Sequence, residues 1–225
     1  MFILAIDTAT EATAVALLED ETLYGDCRIN RKFTQSQKLV SLIDSLIHHT
    51  NLPLQKLDGI AVSTGPGSYT GLRIGLSVAK GLAFSLNIPI TGVNSLDALA
   101  YQVEEPHKLI CPMIRFRKEE FYLAFYRQQN GRCQRCSDYE IYSATELPNV
   151  ITEKTILVGS FSPAMCERLQ ELLGNQIRFA KTVNTYANAY AVGLLGVENL
   201  RQGRVENIQQ LEPFYMREFP LDKNK

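Results

Sequence analysis

Histidine is scarce: the chain has three in 225 residues. Two of them, His48 and His49, are adjacent, so on a helix they point about 100° apart and cannot hold one ion together. There is no H-E-x-x-H, and Gly67-Ser68-Tyr69-Thr70-Gly71 lacks the glycine spacing of a G-x-S-x-G elbow. Zinc-peptidase and serine-hydrolase chemistry therefore lack their usual parts. No apolar run reaches the roughly 20 residues that a bilayer-spanning helix needs. Basic charge is not in excess either: 23 Lys and Arg stand against 24 Asp and Glu, net −1, so no global charge announces nucleic acid. The opening M-F-I-L-A-I-D-T has no basic segment and is interrupted by Asp7 and Glu11, unlike a secretory signal. Five cysteines, an odd number, with no export signal suit a cytoplasmic protein. Cys133-x-x-Cys136 has the form of half a zinc site or a redox pair. A zinc site would have to draw on the lone Cys111, Cys166 and His107, and the pair sits in loop and strand, not at the helix start a redox pair prefers.

Glycine, by contrast, is placed where it demands a reason. In S-T-G-P-G-S-Y-T-G-L-R-I-G-L-S-V-A-K-G-L-A (63–83) a short apolar strand runs into a Gly-Pro turn that opens a helix. Gly71, Gly75, Ala79 and Ala83 recur at four-residue spacing and share one helix face. A glycine inside a helix costs about 1 kcal/mol relative to alanine, so this face is built for close approach. A phosphate-binding loop is one reading, but Leu72-Arg73 stands where the Walker pattern needs Lys-Ser/Thr. A membrane helix-pairing motif is another, but Arg73 and Lys80 interrupt it. Two readings survive: a helix pressed on its own sheet, and a helix that meets a second subunit. Leu72, Ile74, Leu76, Val78 and Leu82 place apolar side chains on more than one side, so the helix needs cover beyond its own sheet.

The flanking order is regular. Phe2–Ile6, Thr13–Leu18 and Thr22–Ile29 alternate as strands. A helix follows with Leu39, Leu42, Ile43, Leu46 and Ile47 on one face and Ser36 as N-cap. Leu57–Val62 is a strand, Tyr69–Leu86 the glycine helix, Ile88–Val93 a strand, and Ser95 caps the next helix. Three meandering strands followed by alternating helices and strands predict a mixed five-stranded sheet with helices on its faces, an α/β fold of ribonuclease-H-like order shared by the actin and Hsp70 ATPase lobes. Glu104-Glu105-Pro106 marks a boundary between residues 1–105 and a smaller lobe of related topology, 106–225. The first holds 7 Lys and Arg against 11 Asp and Glu, the second 16 against 13. In the second lobe Leu109–Ile114, Glu120–Arg127, Arg132–Ile141 and Thr155–Val158 read as strands. Pro163–Leu173 and Ala187–Leu200 read as helices, and L-E-P-F-Y-M-R as an extended tail.

Two clusters carry possible chemistry. Asp7, Thr8 and Thr10 lie in the first hairpin turn, where actin-like ATPases hold an acidic residue near the metal. The only matching second loop is Gly159-Ser160, so half the constellation is missing, and an Asp in a turn also serves by bonding backbone two residues on. Arg115, Arg117 and Lys118 lie beside Phe116, Phe121 and Tyr122, a combination that binds RNA in some proteins and forms a solvated sheet edge in more.

I-L-A-I-D-T-A-T, the glycine segment, I-P-I-T-G-V-N-S-L-D-A-L-A and the tail P-F-Y-M-R together resemble the TsaB (YeaZ) family, closely over residues 1–101 and loosely beyond. The sequence differs from the family at Gln35-Ser36, where His-Ser is common, and at Arg115-Phe116-Arg117, where Asp-Ala-Arg is usual. The resemblance implies an actin-like (ASKHA) fold of two lobes and a non-catalytic subunit of the complex that makes threonylcarbamoyladenosine in tRNA. Its partners would be a TsaD-like catalytic subunit and a TsaE-like ATPase, with a homodimer in isolation and tRNA met only through the complex. No cofactor would bind this chain alone; ATP or ADP and metal would sit on the partners. The contact surface would be formed by Leu39, Leu42, Ile43 and Leu46 with Gly71, Arg73, Ile74, Gly75, Val78 and Ala79, the Asp7 turn being a vestigial nucleotide turn. The alternative is an actin-like ATPase or peptidase-like enzyme acting by itself.

Overall fold

The structure is a computed structural model that describes residues 1–30, 35–129, 132–181 and 188–216. The first lobe runs β1 (Phe2–Asp7), β2 (Ala12–Glu19), β3 (Thr22–Asn30), α1 (Gln35–Thr50), β4 (Gly59–Gly65), α2 (Tyr69–Leu86), β5 (Ile90–Asn94) and α3 (Ser95–Tyr101). Its five-stranded sheet has the order β3-β2-β1-β4-β5. β1 is antiparallel to β2 and parallel to β4, and β4 is parallel to β5. This is the mixed sheet that the hairpins and crossovers predict. α2 has the predicted bounds because both ends are capped: the Ser68 hydroxyl accepts from the Gly71 N–H, and Asn87 takes the left-handed conformation at the other end. Two caps differ from expectation. α1 begins at Gln35, so Ser36 lies inside it. Asn94, not Ser95, caps α3, its Oδ1 accepting from Leu96 N–H at 2.8 Å.

The second lobe runs β6 (Leu109–Arg115), β7 (Glu120–Leu123), β8 (Tyr126–Gln129), β9 (Arg132–Arg135), β10 (Glu140–Ser143), α4 (Leu147–Val150), β11 (Thr155–Val158), α5 (Pro163–Leu173), β12 (Ile177–Phe179) and α6 (Ala189–Arg201). The order β10-β7-β6-β11-β12, with β8 and β9 alongside, repeats that of the first sheet, as do the antiparallel and parallel pairings. What is reduced is the helical layer, since α4 has a single turn where α1 has four; the sheet itself has seven strands. The expected strand Glu120–Arg127 breaks after Leu123 because β7 and β8 pair with opposite ends of β6.

Both faces of the inner strands are covered, which is why β1, β2, β4, β6 and β11 are buried nearly end to end, while the edge strand β3 is largely exposed. In β1, Leu4 and Ile6 face α1 and α2, while Ile3 and Ala5 face the opposite side. That opposite side is covered by α6, whose Ala189, Val192 and Val197 meet Ile3, Ala14, Leu18 and Ala61. A Cβ at Gly193 would collide with Leu18 and one at Gly196 with Ala61, so these two glycines let α6 settle onto an alanine-rich sheet. Reciprocally, Leu96, Leu99 and Ala100 of α3 pack with Ile110, Tyr126 and Val158 of the second sheet. The two lobes thus exchange helices. The division at residue 105 therefore does not separate the packing: α6 returns to the first sheet, and so does the tail, with Leu211 in the first core.

Candidate functional site

The glycine stripe of α2 faces inward. Gly71, Gly75, Ala79 and Ala83 are buried, and a Cβ at Gly75 would collide with the Thr8 hydroxyl. That hydroxyl donates to the Gly71 carbonyl at 2.7 Å. The β1–β2 turn therefore rests its side chain on the helix backbone, and the stripe serves the chain's own sheet. It is not open to a second helix. One turn earlier the contact is backbone on backbone. Ser68 N–H donates to the Ala9 carbonyl at 2.7 Å, and a Cβ at Gly67 would collide with that same carbonyl.

The same geometry decides the Asp7 turn. Asp7 is 1% exposed. Its Oδ1 accepts from Ala9 N–H at 2.9 Å and from the Ser63 hydroxyl at 2.7 Å, and burial pushes its pKa up against those two hydrogen bonds. A carboxylate closed off from solvent, beside a helix start that already receives the Ala9 carbonyl, does not fit a metal–phosphate group. Among the residues expected at a partner surface, Leu39, Ile43 and Leu46 are likewise spent in the first core.

The outward side of α2 is different. Ile74, Val78 and Leu82, four residues apart, are half-buried against the rim of the first core, with Leu42 of α1 beside them. Val40 on α1 is 57% exposed and Phe84 on α2 79%. The apolar residues on more than one side of α2 thus divide: Leu72 and Leu76 turn in, and Ile74, Val78 and Leu82 form an outer row. Arg73 lies at its start, its guanidinium 4.0 Å from the Tyr69 ring centroid.

In the second lobe the expected candidates stay apart. Arg115, Arg117 and Lys118 are exposed on the β6–β7 hairpin with Glu119, and Arg117 lies over Phe116. Cys111 is buried in the core, Cys133 is half-buried with burial pushing its pKa up to about 12, and Cys136 is exposed. Among the described residues no three His, Cys, Asp or Glu side chains form a cluster that could hold a metal, and no helix is long and apolar enough to cross a membrane. A feature not anticipated from sequence is the Asp97 carboxylate between the lobes, which accepts from Tyr126 at 2.6 Å and Tyr139 at 2.8 Å.

Comparison with known proteins follows the same lines. The chain is 29% identical to the tRNA threonylcarbamoyladenosine biosynthesis protein TsaB of Bacillus subtilis over 96% of its length and 94% of that protein's. The solved structure of YeaZ from Pseudomonas aeruginosa superposes with a TM-score of 0.80 at 25% identity, covering 96% of this chain and 99% of that one. The family model described as "TsaD: tRNA N6-adenosine threonylcarbamoyltransferase" matches residues 34–219. The chain belongs to this family, in its TsaB (YeaZ) branch. The two-lobed fold with its repeated sheet is the actin-like fold of that branch. The TsaD side of the family is also recognisable: a tRNA N6-adenosine threonylcarbamoyltransferase of Fervidobacterium nodosum is 35% identical over 45% of this chain and 34% of that protein.

Proposed function

We propose that the chain is a non-catalytic subunit in the synthesis of N6-threonylcarbamoyladenosine in tRNA, pairing with a TsaD-type transferase through the outer side of α1 and α2. The observation that carries this is the row Ile74, Val78 and Leu82, left half-covered on a helix whose adjoining stripe Gly71, Gly75, Ala79 and Ala83 is fully buried. An apolar row flanked by exposed Val40 and Phe84 is a contact surface waiting for cover. The family relation supplies the partner: the transferase is a relative, so two like lobes can meet helix to helix in a pseudo-symmetric pair. Without that partner, two copies of this chain meet in the same way. A TsaE-type ATPase, nucleotide and metal belong to the assembled complex, and tRNA is met there.

The test is the mass in solution by light scattering, alone and mixed with the transferase-type subunit. Mixing gives a species of summed mass, and Val78→Asp, which puts a charge in the row, abolishes it with the fold intact. A mass that stays that of single chains for the native protein, or a Val78→Asp variant that pairs normally, sinks the reading. The solitary-ATPase alternative makes the opposite prediction: nucleotide hydrolysis by the chain alone, lost on Asp7→Ala.

A further inference from the structure

The tail does not hang free. It runs alongside α2 in the opposite direction, on the flank away from α1. Near the middle of the helix, Lys80 Nζ donates to the carbonyls of Leu211 at 3.1 Å and Gln209 at 3.5 Å. Near its start, Arg73 Nε donates to the Tyr215 hydroxyl at 3.4 Å, and the Tyr69 and Tyr215 rings stack at 5.5 Å. Between these points Phe214 N–H donates to the Thr64 carbonyl at 2.8 Å, and the Phe214 ring meets Tyr139 of the second lobe at 5.7 Å. Arg73 and Lys80 are seven residues apart and so share one helix face.

Two points connect this strap with α2's outer row. The described residues include seven exposed large hydrophobic side chains, and four of them, Val40, Tyr69, Phe84 and Phe214, lie on α1, α2 and the tail. The aromatic side chains the tail brings together, Tyr69 and Tyr215, are also of a type that dominates binding energy at protein interfaces, where a rigid aromatic loses little entropy on contact.

We propose that residues 211–216 are the third element of the surface that meets the transferase-type subunit, and that Arg73 and Lys80 are positioning residues that hold the tail in register with α2. This rests on the pairing reading above. Phe214 and Tyr215 present one edge of the contact, the exposed face of α2 its centre, and the α2 row with α1 the other edge. An interface of ordinary size takes about 800 Å² from each partner, and a strap along the helix widens a two-helix ridge into a surface of that kind.

The experiment measures affinity for the transferase-type subunit by calorimetry, with thermal unfolding of each variant alone as the control. Phe214→Ala, which removes a side chain already 40% exposed, weakens pairing about tenfold. Arg73→Ala with Lys80→Ala does the same by freeing the tail, and both variants melt within about 2 °C of the native chain. Arg73→Lys, which keeps the charge and loses the planar group, does not restore the affinity. Pairing within twofold of native for both variants, while Val78→Asp still abolishes it, overturns the role of the tail and leaves the pairing reading standing. Normal pairing by Val78→Asp overturns both.

Discussion

In the first lobe the β1–β2 turn is sunk into the start of α2; in the second lobe the equivalent β6–β7 turn stands clear. Asp7, Thr8 and Ala9 each bond inward, to Ser63, Gly71 and Ser68. The β6–β7 turn instead closes on itself, Phe116 N–H donating to the Glu120 carbonyl at 2.8 Å, and shows Arg115, Arg117 and Lys118 to water. Strand order is the same in both, so topology does not cause the difference. It follows from two missing Cβ atoms, at Gly67 and Gly75, which let the first turn approach the helix backbone. At the end of β4 and just after β11 a glycine with positive φ, Gly65 or Gly159, turns the chain toward its helix. Only in the first lobe do further glycines convert that turn into a packed joint. A glycine-rich strand-to-helix turn, the usual mark of a phosphate site, is here a site already filled by protein.

The sharpest way to break this joint is Gly67→Ala. The new methyl has the Ala9 carbonyl in its place, and backbone on both sides gives no rotamer by which to escape. We expect a loss of about 3 kcal/mol, the upper end for overpacking, seen as a lower midpoint in urea with an unchanged slope. Gly174→Ala in the second lobe meets no atom within 4 Å but takes φ 54 with ψ −132, so its cost is that of backbone strain alone, about 1–2 kcal/mol. Equal losses for the two would erase the contrast between packed and open turns.

Much of the architecture was legible in the sequence, and the physical reason is local. Period-two and period-3.6 patterns belong to each element by itself, so β1 to β5 and the bounds of α2 follow from residues near them. The direction of the glycine stripe did not follow. Periodicity shows that a helix face is small; it does not show which neighbour uses it, and Thr8 lies 63 residues from Gly71. The return of α6 to the first sheet is of the same kind. Gly193 and Gly196, three apart in a helix, were the available signal, but their counterparts Leu18 and Ala61 are known only from the fold. Of the residues expected on a partner surface, Leu42, Arg73, Ile74 and Val78 remain accessible, because an amphipathic pattern does not tell the half-covered rim of a core from its centre.

A smaller effect sharpens the account of the stripe. Gly75→Ala gains about 1 kcal/mol of helix propensity and meets the Thr8 hydroxyl, for a net loss of about 1–2 kcal/mol after overpacking. The cause is one side-chain oxygen, so Thr8→Ala should relieve it. The double variant should be more stable than the sum of the two single losses by about 1 kcal/mol or more, a coupling expected only of residues in contact. Gly81→Ala, on the open side of the same helix with nothing within 4 Å, should instead gain about 0.5–1 kcal/mol. Additive losses in the Thr8–Gly75 cycle would mean that the stripe is not held by the turn.

The smallest expected effect concerns charge at the joint. Burial raises the Asp7 pKa above its ordinary value of 3.8, outweighing the hydrogen bonds from Ala9 and Ser63. In the unfolded chain Asp7 ionises at about pH 3.9; in the folded chain it holds its proton to higher pH. Between those two values the folded state binds more protons, so the contribution of Asp7 to stability falls as pH rises through the window and is constant above the folded value. Asp7→Asn keeps the Oδ1 acceptor for the Ala9 N–H and cannot ionise. The native chain should therefore lose stability relative to Asp7→Asn as pH rises from about 4, measured as the difference between their urea midpoints. Other carboxylates cancel in that difference, including Glu105, whose pKa the Arg178 guanidinium lowers. A difference that stays flat from pH 4 to 8 would mean that Asp7 ionises as freely as a carboxylate in water, and the joint would then have to be wet.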